Sequence, residues 1–529
     1  MPELQVTAWD LGILIGYVVL TRIAFGWFFA RRIRGEGAEG YFLGGHRMRW
    51  PLIGLSFYVA NMSGSSFIGL PGAGYHSGVS VYHYEWMPAL LMIVFAFFFL
   101  PPFLRARVYT APQFLEERFG RGSRFAFSAM LLITSMLVDA PGALYAGAMV
   151  LKILLPGVPI LVTITVAALA AGVYIAFGGL GAVVANDALQ AVLILAGGTV
   201  IAVLAWQAVD SWDAVVEAAP PGALHLMQPA DHEMVPWPGL FGVFIVGMYF
   251  WCTNQFIIQR ALGAQTLNDG RWGALFAGVL KLPNLFILIL PGVLATVLYP
   301  GLDNPDMVFP LLAFDLLPVG LRGFMLAVLA AAMLSSLEAI LHSASTLFTM
   351  DFVHVARPEL DSQKLTTLGR IATLIFMVIA VAWTPMISRF PTLWEYLQSI
   401  LSYLTPPVVA VFVLGLFWRR ANATGALAGL VIGVPLGAIG WIVVELLDVG
   451  TLHFLYAATG MFVVGILLVV AGSLVTAPPP EKKIRDHMWR IEDYFRDAEA
   501  VRALPWYQDY RLQSVALAVV AFAVVVWWW

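Results

Sequence analysis

The chain has 529 residues, of which 60% are hydrophobic and only 12% charged, and its mean hydropathy is +0.84. Those values exclude an ordinary soluble protein of this length, and a single cysteine, Cys252, excludes an internal disulfide or a multi-cysteine metal centre. The net charge of −3 separates few classes, but the placement of the charges is informative.

A bilayer core needs about 20 apolar residues in a helix. The chain supplies about fourteen such runs, near 9–29, 52–74, 80–104, 125–151, 159–178, 185–207, 237–259, 273–299, 320–350, 366–388, 393–418, 423–445, 452–475 and 512–529. The first is preceded by Glu3 and followed by no small-residue cleavage site, so it reads as a span and not as a cleaved leader. Of the 29 lysines and arginines, 24 fall in the loops after the odd-numbered runs, the exceptions being Lys152, Arg322, Arg389, Arg22 and Lys281. The positive-inside rule then makes those loops cytoplasmic and places both termini outside. Between the spans, 208–236 is an acidic external loop. The segment 476–511, opened by Pro478-Pro479-Pro480, reads as an amphipathic cytoplasmic stretch at the membrane interface.

Two spans carry helix breakers. The second holds Asn61-Met62-Ser63-Gly64-Ser65-Ser66 with Gly69, Pro71, Gly72 and Gly74; the seventh holds Pro236, Pro238, Gly239, Gly242 and Gly247. Setting the first span aside, these are the first and sixth spans of two five-helix halves. Interrupted spans at matching places point to a binding site near the midplane, although glycines also serve close helix packing. Glu85 and Lys281 are charges within spans, which are costly there and face a cavity or each other. In the ninth span, Ser335 and Ser336 offer hydroxyl oxygens beside the carbonyls of a broken helix. That shell is poor in formal charge and suits a monovalent cation better than calcium. No phosphate-binding loop, histidine metal cluster or nucleophile motif marks the chain as an enzyme.

The runs Tyr41-Phe42-Leu43-Gly44-Gly45, Tyr84-Glu85-Trp86, Phe250-Trp251-Cys252-Thr253-Asn254-Gln255, Ser335-Ser336-Leu337, Ser343-Ala344-Ser345-Thr346-Leu347-Phe348-Thr349-Met350-Asp351 and Tyr396-Leu397-Gln398-Ser399-Ile400-Leu401-Ser402-Tyr403-Leu404 resemble the sodium/solute symporter family. The match lies nearest to its sodium–glucose cotransporter branch and extends from about residue 40 to 430 in order. The resemblance implies an all-α, polytopic membrane protein with a LeuT-type five-plus-five inverted repeat. On that scheme 1–529 is one transporter domain: an extra helix at 9–29, a repeat core at about 52–418, and peripheral helices at about 423–529. It implies a sodium site built from the backbone carbonyls of Val59, Met62 and Ala332 and the hydroxyls of Ser335 and Ser336. It also implies a solute pocket involving Asn61, Ser66, Glu85, Phe250, Trp251, Lys281 and Gln398.

The chain departs from the pattern at several positions. Phe250 stands where sugar carriers have a gating tyrosine, Gly247 replaces a polar residue that pairs with it, and Ser66 replaces a larger amide or imidazole. These changes predict a wider pocket with fewer hydroxyl partners. Asp187 matches an aspartate tied to a second sodium in some relatives, yet Glu338 and Ala339 replace hydroxyl-bearing residues nearby; Glu338 is then a candidate for a second ion or proton site. His342 reads as a packing histidine, and Asp139 has no assigned role. The expected activity is sodium-coupled import of a sugar or sugar-like polar solute across an inner or plasma membrane. The alternatives are a symporter of a polyol, amino acid or carboxylate, an uncoupled uniporter, or a solute sensor. Glu85 counts against an anion.

Overall fold

A computed structural model describes residues 7–10, 12–13, 16–17, 48–108, 110–154, 157–177, 183–502 and 504–529; the side chains at 170–189, 335 and 338 are among those outside the described set. The Tyr41–Gly45 run and most of the expected first span also lie outside it. The described residues are helical, with one isolated bridge between Met48 and Ala264. Nine of the described helices are long and apolar enough to cross a membrane, and the bent pair Leu393–Leu404 and Pro406–Phe417 makes a tenth if it is one span.

The expected spans are frequently interrupted, for local reasons. The run 52–74 is two helices, Trp50–Asn61 and Gly64–Ser77, separated by Met62 and Ser63. The run 393–418 bends by 51° at Thr405, where Pro406 and Pro407 remove two backbone donors. In the seventh span the break falls at Asn254 (φ −71°, ψ 137°), between a wide turn at Tyr249–Thr253 and helix Gln255–Leu262. It does not fall in the Pro236–Gly247 run. Pro238 sits in the entry turn of that helix, where its missing N–H costs nothing, and Gly242 lets the backbone of Leu455 approach.

Glycine likewise sets how closely the core helices lie. A Cβ on Gly54 would stand 2.9 Å from the carbonyl of Gly273, and one on Gly273 would stand 2.6 Å from Ile53. Trp50–Asn61 and Leu267–Lys281 therefore pack nearly backbone to backbone. The second half of the broken helix is seated in the same way, with the place of a Gly292 Cβ only 2.1 Å from the Pro71 carbonyl.

Residues 481–509 form a strap at the arginine-rich end of the molecule. It runs through Glu481–His487, Ile491–Arg502 and a short turn at Trp506–Gln508 into the last helix, Tyr510–Trp527. Phe495 and Trp506 are 60% and 78% exposed, as suits a membrane interface. The opposite face of the strap docks on the helix ends.

Candidate functional site

The chemistry of the break in the second span follows from its hydrogen bonds. The Met62 N–H still donates to Tyr58 (2.9 Å), but the Ser63 N–H turns back to the Asn61 carbonyl (3.0 Å), and the Ser66 N–H donates to the Ser63 carbonyl (3.0 Å). In an uninterrupted helix the amides of Ser63 and Ser66 would serve the carbonyls of Val59 and Met62. The break thus takes the ordinary donor away from those two oxygens. It leaves the Asn61 carbonyl well supplied, because the Ser66 hydroxyl also donates to it at 2.9 Å.

Opposite the break runs the serine helix, Leu321–Leu347. A Cβ on Gly64 would lie 2.4 Å from Cγ of Met333, so the start of Gly64–Ser77 is pressed onto that helix at Met333. A cavity of about 170 Å³ opens there, far more than the roughly 10–15 Å³ one water needs. Val59, Met62, Ala332 and Ser336 all line it, so the structure gathers the predicted cation ligands at one wall; the Ser335 side chain lies outside the described set. Five of the predicted solute residues do not sit together by accident of sequence. Asn61, Ser66, Phe250, Trp251 and Gln398 come from four separate helical segments and line the same cavity.

Glu85 and Lys281 are placed differently. They are 1% and 0% exposed, pair at 2.5 Å, and stand behind the cavity lining. The Lys281 ammonium also donates to Oδ1 of Asn61, approaches Sδ of Met62 at 3.4 Å, and lies 5.7 Å from the centre of the Trp251 ring. Asn284 donates to Glu85 at 2.5 Å and accepts from the Tyr58 hydroxyl at 3.0 Å. Sequence reasoning missed Asn284 and Tyr58; a polar residue three positions after an intramembrane lysine, on the same helical face, was the available signal. This network fixes Asn61, which then presents itself at the break.

The wall around Phe250 is also more closed than expected. The Phe250 and Trp251 rings meet edge to face at 5.4 Å, and the space a side chain at Gly247 would take is filled by Leu91, 2.5 Å from the Cβ position. Gly247 itself lines the cavity, with Leu91 packed against it. Two further polar groups face it. Asp139 lines the cavity with no hydrogen bond or ion pair among the described residues, and the buried Gln190 amide nitrogen has no partner there either. Asp187 and Glu338 lie on described helices, but their side chains fall outside the described set.

Residues 41–433 match the model of the sodium:solute symporter family. The chain is 34% identical to sodium/myo-inositol cotransporter 2 of Oryctolagus cuniculus, over 95% of this chain and 82% of that protein. It is 32% identical to sodium/glucose cotransporter 1 of the same organism, over 92% of this chain and 81% of the relative. Among solved structures, a Na+-coupled sialic acid symporter in its substrate-bound outward-open state superposes with a TM-score of 0.72 at 21% identity, covering 89% of this chain and 99% of that one, and so shares its fold. A family match over most of the chain, with about a third of residues identical to two sodium cotransporters along more than nine-tenths of this chain, makes it a member of the sodium:solute symporter family, a multi-pass sodium-coupled carrier and not an enzyme.

Proposed function

We propose that the protein imports a sugar or polyol together with sodium by alternating access. Sodium is taken by the carbonyls of Val59, Met62 and Ala332 and the hydroxyls of Ser335 and Ser336; the solute is taken by the adjoining cavity. The observation that carries this reading is the pair of carbonyls at the break. The break takes the helical amide donors from Val59, Ala60 and Met62, and Val59 and Met62 line the cavity beside Ala332 and Ser336. An oxygen shell without a carboxylate suits a monovalent ion.

On this reading sodium ties the broken helix to the serine helix and so completes the pocket that Asn61 and Gln398 help to form. Sodium and solute need only favour the same state. One sodium moving down about 100 mV supplies about 2.3 kcal/mol, and a tenfold gradient adds about 1.4. Together they support roughly 500-fold accumulation at one-to-one coupling. Glu85 and Lys281 act on the solute through Asn61 in this conformation. Amide and hydroxyl groups match a solute that both donates and accepts, and the unpaired Asp139 disfavours an anion. The sodium/myo-inositol and sodium/glucose relatives support a polyol or sugar.

The architecture we propose is a five-plus-five inverted repeat within about fourteen spans, with the breaks at Met62–Ser63 and Asn254 in corresponding helices. Both termini are external and the arginine-rich loops cytoplasmic. The test is uptake of labelled myo-inositol, glucose, galactose, an amino acid and a monocarboxylate into proteoliposomes, with and without an inward sodium gradient. Concentrative, sodium-dependent uptake of one sugar or polyol is expected. Uptake that only equilibrates, or that follows the monocarboxylate, would overturn the reading.

A further inference from the structure

The strap 481–509 makes an unusually specific set of contacts for a surface segment, and one residue ties two distant helices. Pro101 has no N–H, so the Phe97 carbonyl in the wide turn Phe95–Phe99 loses its helical donor. The Trp489 indole N–H supplies the replacement at 3.0 Å. The backbone N–H of the same residue donates at 3.1 Å to Leu416, near the end of Pro406–Phe417, where helical carbonyls also lack donors. Its ring packs against Phe98 and Phe417, at 5.3 and 6.1 Å, in a cluster in which those two rings also touch.

Ion pairs extend the grip. Arg105 binds the Asp493 carboxylate and the Met488 carbonyl, the latter at 3.1 Å. Arg271, only 3% exposed, binds Asp497 at 2.8 Å and lies 4.2 Å over the Tyr510 ring. Trp272 donates to the Gln508 carbonyl at 2.9 Å. The strap thus joins the basic ends of His83–Val94 with its continuation to Ala106, of Leu267–Lys281, and of Pro406–Phe417. The first of these lines the cavity through Met87 and Pro88, and Leu393–Leu404, which leads into Pro406–Phe417, lines it through Leu397, Gln398 and Leu401.

We propose that residues 481–509 are a clasp across the inner mouth, and that the inner route opens only when the Trp489 indole gives up the Phe97 carbonyl and the strap, still held at Leu416, leaves the helix that carries Arg105. The inference rests on the alternating-access reading and adds to it a part that holds the inner side shut. Separating the two cavity walls at their basic ends pulls Phe97 and Leu416 apart, and Trp489 is the residue that spans them. Its strength sets how readily the carrier faces inward.

The test uses full-length protein in which Cys252 is replaced by serine. Cysteines are placed at Arg105→Cys and Asp493→Cys and bridged with a short bismaleimide in proteoliposomes. Bridging should cut sodium-driven uptake at least tenfold, whereas a monofunctional maleimide on the same pair should not. Separately, Trp489→Phe keeps the ring and removes the indole donor. It should raise thiol labelling of a Leu401→Cys reporter from the inner side at least threefold, with the melting temperature essentially unchanged. Full uptake by the bridged protein, or unchanged labelling in Trp489→Phe, overturns the clasp. Failure of the symport reading shows itself apart from these, as absence of sodium-driven uptake in the unbridged protein, and removes the clasp with it.

Discussion

Replacing Lys281 by methionine tests the arrangement behind the cavity most directly. The ammonium is fully buried and its partner Glu85 is 1% exposed, with 2.5 Å between them. Removing one member of a buried pair typically costs about 3–5 kcal/mol, because the remaining charge stays in the interior uncompensated. Here Asn284 still donates to Glu85, which places the expected loss near the lower end, about 3 kcal/mol, or roughly a 150-fold shift of the folding equilibrium. Lys281→Met combined with Glu85→Gln removes both charges and keeps an acceptor for Asn284. That double variant should recover at least half of the lost stability, since neutral replacement of a buried pair is often nearly free. It should not recover transport, because Asn61 loses the ammonium that holds its side chain. The assay is thermal unfolding in detergent of the wild type, both single variants and the double variant, alongside sodium-driven uptake by each. Stability of Lys281→Met equal to wild type, or full transport by the double variant, would refute the reasoning.

At the cation wall, Ser336→Ala should raise the sodium concentration for half-maximal uptake about tenfold, one hydrogen-bond-sized contribution of about 1.4 kcal/mol; an unchanged sodium dependence would remove Ser336 from the site. Asp139→Asn should change the solute KM while leaving sodium half-saturation within twofold, and equal shifts in both would assign Asp139 to the cation instead. Gly292→Ala should abolish folded expression because its Cβ meets the Pro71 carbonyl at 2.1 Å, whereas Gly64→Ala, whose one close clash is with the Met333 side chain, should fold with a smaller loss; the reverse order in a size-exclusion assay would contradict the packing. In the 208–236 loop and at the entry to helix Phe454–Leu474, burial holds the His232 and His453 imidazoles below the usual histidine range. Both use Nδ1 as an acceptor, His232 from the amides of Met234 and Val235 and His453 from that of Leu455. A lowered histidine pKa gives stability that is full above about 6.5 and lost as pH falls through the folded value. Protection factors at 234–235 and 455, with exchange corrected for its intrinsic pH dependence, should therefore fall as pH is lowered from 7.5 to 5.5, and equal protection at both would exclude this linkage.

The site was legible where its signal is local and obscure where it is relational. The run Asn61–Ser66 shows a break in any reading, because serine and glycine offer turns and competing hydrogen bonds that a helix interior does not. What the residues alone do not say is which carbonyls the break releases. That depends on Ser63 turning to Asn61 and Ser66 to Ser63, a choice made by the geometry of one turn. The seventh span shows the converse. Its prolines and glycines drew attention to 236–247, but they serve helix entry and close packing, and the chain breaks at Asn254, inside the polar triplet Thr253-Asn254-Gln255. A proline or glycine is a breaker only where its backbone group was needed.

Charges follow the same division. That Glu85 and Lys281 are buried is readable from an apolar sequence, since each lies within a span. That they face one another, while Asp139 faces the cavity without a partner among the described residues, is a property of three helices brought together. The strap carries the argument furthest. Pro101 alone announces that the Phe97 carbonyl needs a donor from elsewhere, and hydrocarbon cannot provide one. The donor that arrives is Trp489, 392 residues later in the chain. No periodicity links the two positions, yet the vacancy and its remedy are both chemically specified: a missing N–H on one helix and an indole N–H on a segment whose other face is apolar enough to stay at the membrane surface. Orphaned carbonyls beside intramembrane prolines are thus the places where a carrier's peripheral segments can attach, and in this chain the attachment reaches both walls of the cavity that the solute must leave.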